Sequence, residues 1–256
     1  MTRLLSCAVA WRMKHIQILP DAGAAPSSRP LPKGTGAAIL FSAALLVSGW
    51  AMIGLGALGG LVGMSALLGG ACLVVHFLRR TYPHDRLGGC NLVTMMRLSL
   101  VALLLGGVAE GGLSGWPVVF AASLALALDG VDGWLARRSG LASDFGGRFD
   151  LEVDAALALV LAVLALQSPH YGPAVLVLGL MRYVFLLGGV FAPWMRASLP
   201  YSQRRRVICV VQLAALIALQ LPLAQTAPLA WGARLAAIAL IWSFAVDTLW
   251  LWRNAR

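Results

Sequence analysis

Asp129, Asp132, Asp150 and Asp154 are the residues of this chain best suited to chemistry, and a set of small residues keeps step with them. Asp132-Gly133 leads to Ala136-Arg137, and eight residues separate Arg137 from Gly146. Asp150 and Asp154 then follow at intervals of four, giving D-x2-D-G-x2-A-R-x8-G-x3-D-x3-D. Only 10 of 256 residues are acidic, and six of the ten, Asp144 and Glu152 included, fall within 129–154. On helices, Asp129, Gly133 and Arg137 form one i, i+4, i+8 stripe, flanked by Asp132 and Ala136, and Gly146, Asp150 and Asp154 form another. Two such helices joined by a short connection are expected to pack antiparallel with the stripes facing. Four carboxylates brought so close repel one another unless a cation neutralises them. An oxygen-only donor set selects Mg2+, Mn2+ or Ca2+ over zinc. Four carboxylates have room for two ions, the arrangement that clamps attacking and leaving oxygens in phosphoryl chemistry. Gly133, Ala136 and Gly146 remove bulk beside them, which suits a ligand lying against the backbone and equally suits close small-xxx-small helix packing. Arg137 is placed to bind a phosphate with two parallel hydrogen bonds.

A membrane must position these groups. The chain is 60% hydrophobic and 12% charged, with a mean hydropathy of +0.83, whereas soluble domains carry about 25% charged residues. A spanning helix needs roughly 20 apolar residues. Candidates lie at 37–57, 59–78, 91–108, 117–136, 147–167, 173–192, 207–224 and 231–252, with the first apolar block divided at Gly56–Gly60. The fold class is therefore all-α, a polytopic transmembrane bundle. If the spans alternate, one face collects the N-terminal basic residues up to Lys33, then Arg79, Arg80, Arg86, Arg97, Arg137, Arg138, Arg148, Arg196, Arg204–Arg206, Arg253 and Arg256. The connections near 56–60, 109–116, 168–172 and 222–230 hold no Lys or Arg. The positive-inside rule makes that face, both termini and the Asp segment cytoplasmic; Arg234 and Arg182 are the exceptions. The net charge of +10 then reflects topology and attraction to anionic lipid, with no call for nucleic acid. Asp129 and Asp132 occupy the last turns of one span, and Asp150 and Asp154 the first turns of the next. Asp at a helix centre costs roughly 2.5–3.5 kcal/mol on insertion scales, and even near the interface four converging carboxylates point to function.

Arg12 interrupts the first apolar stretch, so residues 1–35 read as a cytoplasmic tail, with no cleaved signal peptide expected. Cys7, Cys72, Cys90 and Cys209 have no paired metal spacing and read as packing residues.

The motif matches, at every defined position, the signature of the CDP-alcohol phosphatidyltransferases, and over 90–252 the chain resembles that family more loosely. Asn91-Leu-Val-Thr94 followed by Arg97-Leu98 looks like the entry to the family's first core helix. The resemblance implies a six-helix catalytic core, here within 90–256, so that the hairpin of 36–80 would be an addition after the tail. It implies transfer of a phosphatidyl group from a CDP-linked lipid such as CDP-diacylglycerol to a small alcohol, with release of CMP, in phospholipid biosynthesis. Asp129, Asp132 and Asp150 would ligate Mg2+ or Mn2+, with a two-metal site expected. Asp154 would be the general base and a further metal contact, and Gly133, Ala136, Arg137 and Gly146 would line the CDP site. A multi-pass protein of a bacterial inner membrane, able to dimerise through its helices, is implied as well.

Members that use glycerol phosphate often carry two lysines separated by one residue, then Thr and Gln, at the start of the fifth core helix. Here Arg206-Val-Ile-Cys-Val-Val-Gln212 keeps one basic residue and the Gln, and Ile208 replaces the second Lys, so the acceptor stays open. Arg182 and Arg204–Arg206 suit a phosphorylated acceptor. For the loop arginines topology is an equal explanation, and for Arg182 a structural partner such as Asp247 is the alternative. Glu152 points away from the Asp150/Asp154 stripe, Glu110 reads as a solvated residue of an outer connection, and the histidines build no site. Trp116, Trp231 and Trp250 fit interfacial belts. Two other functions use similar residues. A membrane prenyltransferase binds a Mg-diphosphate through Asp pairs but gives no reason for the D-G-x2-A-R block. A divalent-cation transporter should spread its acids over several helices near the midplane.

Overall fold

A computed structural model describes residues 30–255, apart from 114, 142, 169–170, 198, 201 and 223–226. The expected tail therefore lies almost wholly outside the described residues. Eight α-helices follow one another among those described: α1 Thr35–Ile53, α2 Ala57–Thr81, α3 Gly89–Ala109, α4 Trp116–Ser139, α5 Asp144–Gln167, α6 Leu176–Phe191, α7 Gln203–Ala218 and α8 Ala227–Asn254. Short 3-10 turns precede and follow α6. Six of these stretches are long and apolar enough to cross a membrane. The other two, α5 and α7, spend their first turns on Asp144, Arg148, Asp150, Glu152 and Asp154 and on Arg204–Arg206. The protein is a polytopic helical membrane bundle.

Local chemistry sets the breaks. The first apolar block divides where Gly54 adopts a left-handed φ of 73° and returns its N–H to the Trp50 carbonyl, while Trp50 Nε1 donates to the Leu55 carbonyl at 2.7 Å. A side chain at that φ is strained, so glycine suits the cap. Pro117 and Gly140 bracket α4. Ser143 caps α5 by accepting the Gly146 N–H at 3.0 Å. The seventh helix begins at Gln203 and ends at Ala218, earlier at both ends than the expected 207–224. Arginine is a good helix former, so hydropathy placed the start too late, and Pro222 disfavours continuation.

The central helix is α3, which packs against α1, α2, α4 and α5. Glycines bring α2 onto it: a Cβ on Gly63 would lie 2.9 Å from the Ala102 carbonyl, and one on Gly106 2.5 Å from that of Gly59. Beyond α5 lie α6, α7 and α8, and α5 donates Leu157, Leu161 and Ala162 to the main core with Leu104, Val118, Leu178, Leu216 and Leu240. At one end of the bundle Lys33 exchanges backbone hydrogen bonds with Asp85 and Leu87, beside the starts of α3 and α5. At the other end the Glu110 carboxylate accepts the Gly59 N–H at 2.6 Å, capping the first turn of α2. Glu110 is exposed, as expected, yet it also ties the hairpin to α3.

Candidate active site

The last turns of α4 and the first turns of α5 bring Asp129, Asp132, Asp150 and Asp154 together, but not in the way two facing stripes would. Both helices pack on α3 and barely approach one another. The residue between their carboxylates is Arg97 of α3, whose side chain has no solvent exposure at all. Its Nη1 lies 3.3 Å from Asp129 Oδ1 and 2.9 Å from Asp132 Oδ2 and also contacts Asp150 Oδ1. Its Nη2 contacts Asp154 Oδ1. Thr94 Oγ1, one turn back, is within hydrogen-bond distance of Asp132 Oδ2 (3.2 Å) and of the Cys90 carbonyl (3.0 Å).

Each side chain reaches this point for a local reason. Asn91, Thr94 and Arg97 form an i, i+3, i+6 polar row on an otherwise apolar helix, all three buried. Tyr82 steadies the start of that row, its hydroxyl accepting from Asn91 Nδ2 at 3.1 Å and donating to the Arg86 carbonyl at 3.1 Å. Gly146 lets α5 close on α3, because a Cβ there would stand 2.9 Å from Asn91 Oδ1. Close packing is thus one established use of this glycine. Gly133 and Ala136 are half-buried on α4; Arg137 also lies on α4, with its side chain outside the description.

The donor set fits a hard divalent cation. Asp129, Asp132 and Asp150 each offer an oxygen, and the three oxygens lie within 4.8 Å of one another. No thiolate or imidazole belongs to that group, so an oxygen-seeking ion such as Mg2+ or Mn2+ suits it. Asp154 stands outside the group of three.

Sequence reasoning missed Arg97, which looked like one more basic residue at the membrane edge. The available signal was its position nine residues into a span, in phase with Asn91 and Thr94. Arg182 also has a different partner from the one suggested: it pairs with Glu152 of α5. Asp247 of α8 is held by Arg204 and lies 3.5 Å from Arg205 Nη1. Helix faces are legible from periodicity, but which neighbour a face meets is set by packing. Gln212, the residue shared with glycerol-phosphate users, donates to the Leu178 carbonyl of α6. Cys209 of α7 lies within electrostatic reach of Asp129 and Asp154 and of Arg182 and Arg205, so the two sets of charges share one region of the bundle.

A family model described as CDP-alcohol phosphatidyltransferase matches residues 89–249. The chain belongs to that family. Among curated proteins and among solved structures, none matches the chain. As a CDP-alcohol phosphatidyltransferase it is a membrane-embedded transferase acting between a CDP-alcohol and an alcohol acceptor. The match begins at the first residue of α3 and so takes in Arg97 as well as the four aspartates.

Proposed function

We propose that the protein transfers a phosphatidyl group from CDP-diacylglycerol to a small alcohol, releasing CMP, on the cytoplasmic side of a bacterial inner membrane. The observation that carries this reading is the division among the carboxylates: Asp129, Asp132 and Asp150 converge on one point, while Asp154 meets the other guanidinium nitrogen. A Mg2+ or Mn2+ ion held by Asp129, Asp132 and Asp150, with a second adjoining Asp154, would neutralise the pyrophosphate and stabilise departing CMP. Asp154 takes the proton from the acceptor hydroxyl as that oxygen attacks phosphorus. Gly133, Ala136 and Gly146 give the nucleotide access to the backbone, and Arg137 binds its phosphate.

The acceptor reaches Asp154 from the side of α6, α7 and α8. There Arg204 and Arg205 share the single carboxylate of Asp247. That surplus of positive charge favours an acceptor with an anionic group of its own. The orientation rests on Arg79, Arg80, Arg138, Arg148, Arg196, Arg204–Arg206 and Arg253, all on helix ends at the side of the aspartates. We assign catalysis to 90–256, with 36–80 as an added hairpin and 1–35 as a tail, and expect a dimer through membrane helices.

The test is to incubate purified protein with CDP-diacylglycerol, Mn2+ or Mg2+ and a panel of alcohols that includes phosphorylated and neutral members. Metal-dependent CMP release with a phosphorylated acceptor is expected. CMP release with none of the panel would count against the assignment, and preference for a neutral alcohol would remove Arg204 and Arg205 from it.

A further inference from the structure

The three carboxylates that share a candidate ion position are the same three that Arg97 Nη1 touches. One nitrogen therefore stands where a cation held by Asp129, Asp132 and Asp150 would stand. We infer that Arg97 is the resident counter-ion of this site, and that a divalent ion and Nη1 exclude one another there, so that loading the ion withdraws the guanidinium from the three ligands. The inference rests on the metal-binding role proposed above and concerns what the chain itself does before the ion arrives.

Three features carry it. Charge is the first. Four carboxylates face one guanidinium, so the acidic groups outnumber the resident cation and the site still attracts a dication with Arg97 inside it. Distance is the second: an ion entering without displacement would lie against Nη1 in a site of low effective dielectric, where like charges at contact repel strongly. The third is the tether. Among the described residues, Nη1 and Nη2 bind only these aspartates, and the buried Nε has no hydrogen-bond partner. Among the described residues no other hydrogen bond or ion pair holds the guanidinium, so a stronger competitor for the four carboxylates can release it. Without some internal cation the emptied site would leave the buried Asp132 and three half-buried carboxylates unpaired beside one another, which disfavours their assembly. Arg97 thus keeps the ligands assembled, at the expense of apparent ion affinity.

The experiment measures Mn2+ binding to the full-length protein in detergent by electron paramagnetic resonance, without any CDP-lipid, alongside thermal stability in EDTA and in Mn2+. Arg97→Met removes the competitor and is expected to bind Mn2+ at least about tenfold tighter, because wild type binds only through its ion-competent fraction. The same variant should melt earlier than wild type in EDTA and recover in Mn2+. Arg97→Lys keeps a cation of similar reach and should stay within about threefold of the wild-type affinity. Mn2+ binding to Arg97→Met that is unchanged or weaker overturns the exchange, as does a variant that cannot be recovered folded even with Mn2+ present. Wild type that binds no Mn2+ at all overturns the metal-binding role itself, a different failure from the loss of the exchange alone.

Discussion

Two charge clusters of this bundle are built on opposite ratios. Where α3, α4 and α5 meet, four carboxylates share one guanidinium. Where α7 meets α8, two guanidiniums share one carboxylate. Neither ratio is what stability alone would choose, because like charges gathered at a half-buried site repel one another and a matched pair does not. The Arg182–Glu152 pair is the matched case within the same chain. The imbalance therefore tells the sign of what each place lacks: cations among the aspartates, an anion beside Arg204 and Arg205. A transferase that must bind a metal-neutralised pyrophosphate and a second, water-soluble substrate needs both.

The largest effect should come from the acidic cluster. Removing divalent ions with EDTA should abolish CMP release, with full return on adding Mg2+ or Mn2+. Activity that survives chelation would mean that the excess of carboxylates serves another purpose. Next comes the basic cluster, motivated by its unshared positive charge. Arg204→Met or Arg205→Met should raise the KM for a phosphorylated acceptor about tenfold, the value of one charge-assisted hydrogen bond of roughly 1.5 kcal/mol, and leave the KM for CDP-lipid unchanged. Equal changes for both substrates would erase the contrast between the clusters. The smallest effect belongs to the end of α3 farthest from the site. Glu110→Ala removes the cap on α2 and should cost about 1 kcal/mol of stability, as cap losses do, read as a melting point lower by a few degrees with turnover intact.

Much of this was written in the sequence. The acidic motif stood out because carboxylates are scarce elsewhere, and the spans were legible because an apolar run of fixed length has few alternatives in a bilayer. The match of the family model over 89–249 agrees with the resemblance carried by Asp129 to Asp154. What could not be read was partner choice. Asp129 and Asp150 were expected to face each other across two adjoining helices, and α3 stands between them because its glycine-lined and polar faces pack on α2, α4 and α5 alike. Arg97 was hidden by its type, since an arginine near a span end satisfies the topology rule wherever its side chain points. Arg182 and Asp247 were natural partners for each other until packing gave them Glu152 and Arg204. Each of these is a contact between residues distant in sequence, and helical periodicity carries no information about such contacts.

The central claim is that the four aspartates divide into ion ligands and a base. Mn2+ binding and CMP release should be measured side by side for Asp150→Asn and Asp154→Asn. The account predicts that Asp150→Asn loses both. Asp154→Asn should keep the Mn2+ ion held by Asp129, Asp132 and Asp150 while turnover falls by about 10²–10⁴-fold, the usual worth of a positioned base. Asp154→Asn that turns over like wild type, or that loses Mn2+ as completely as Asp150→Asn, would contradict it.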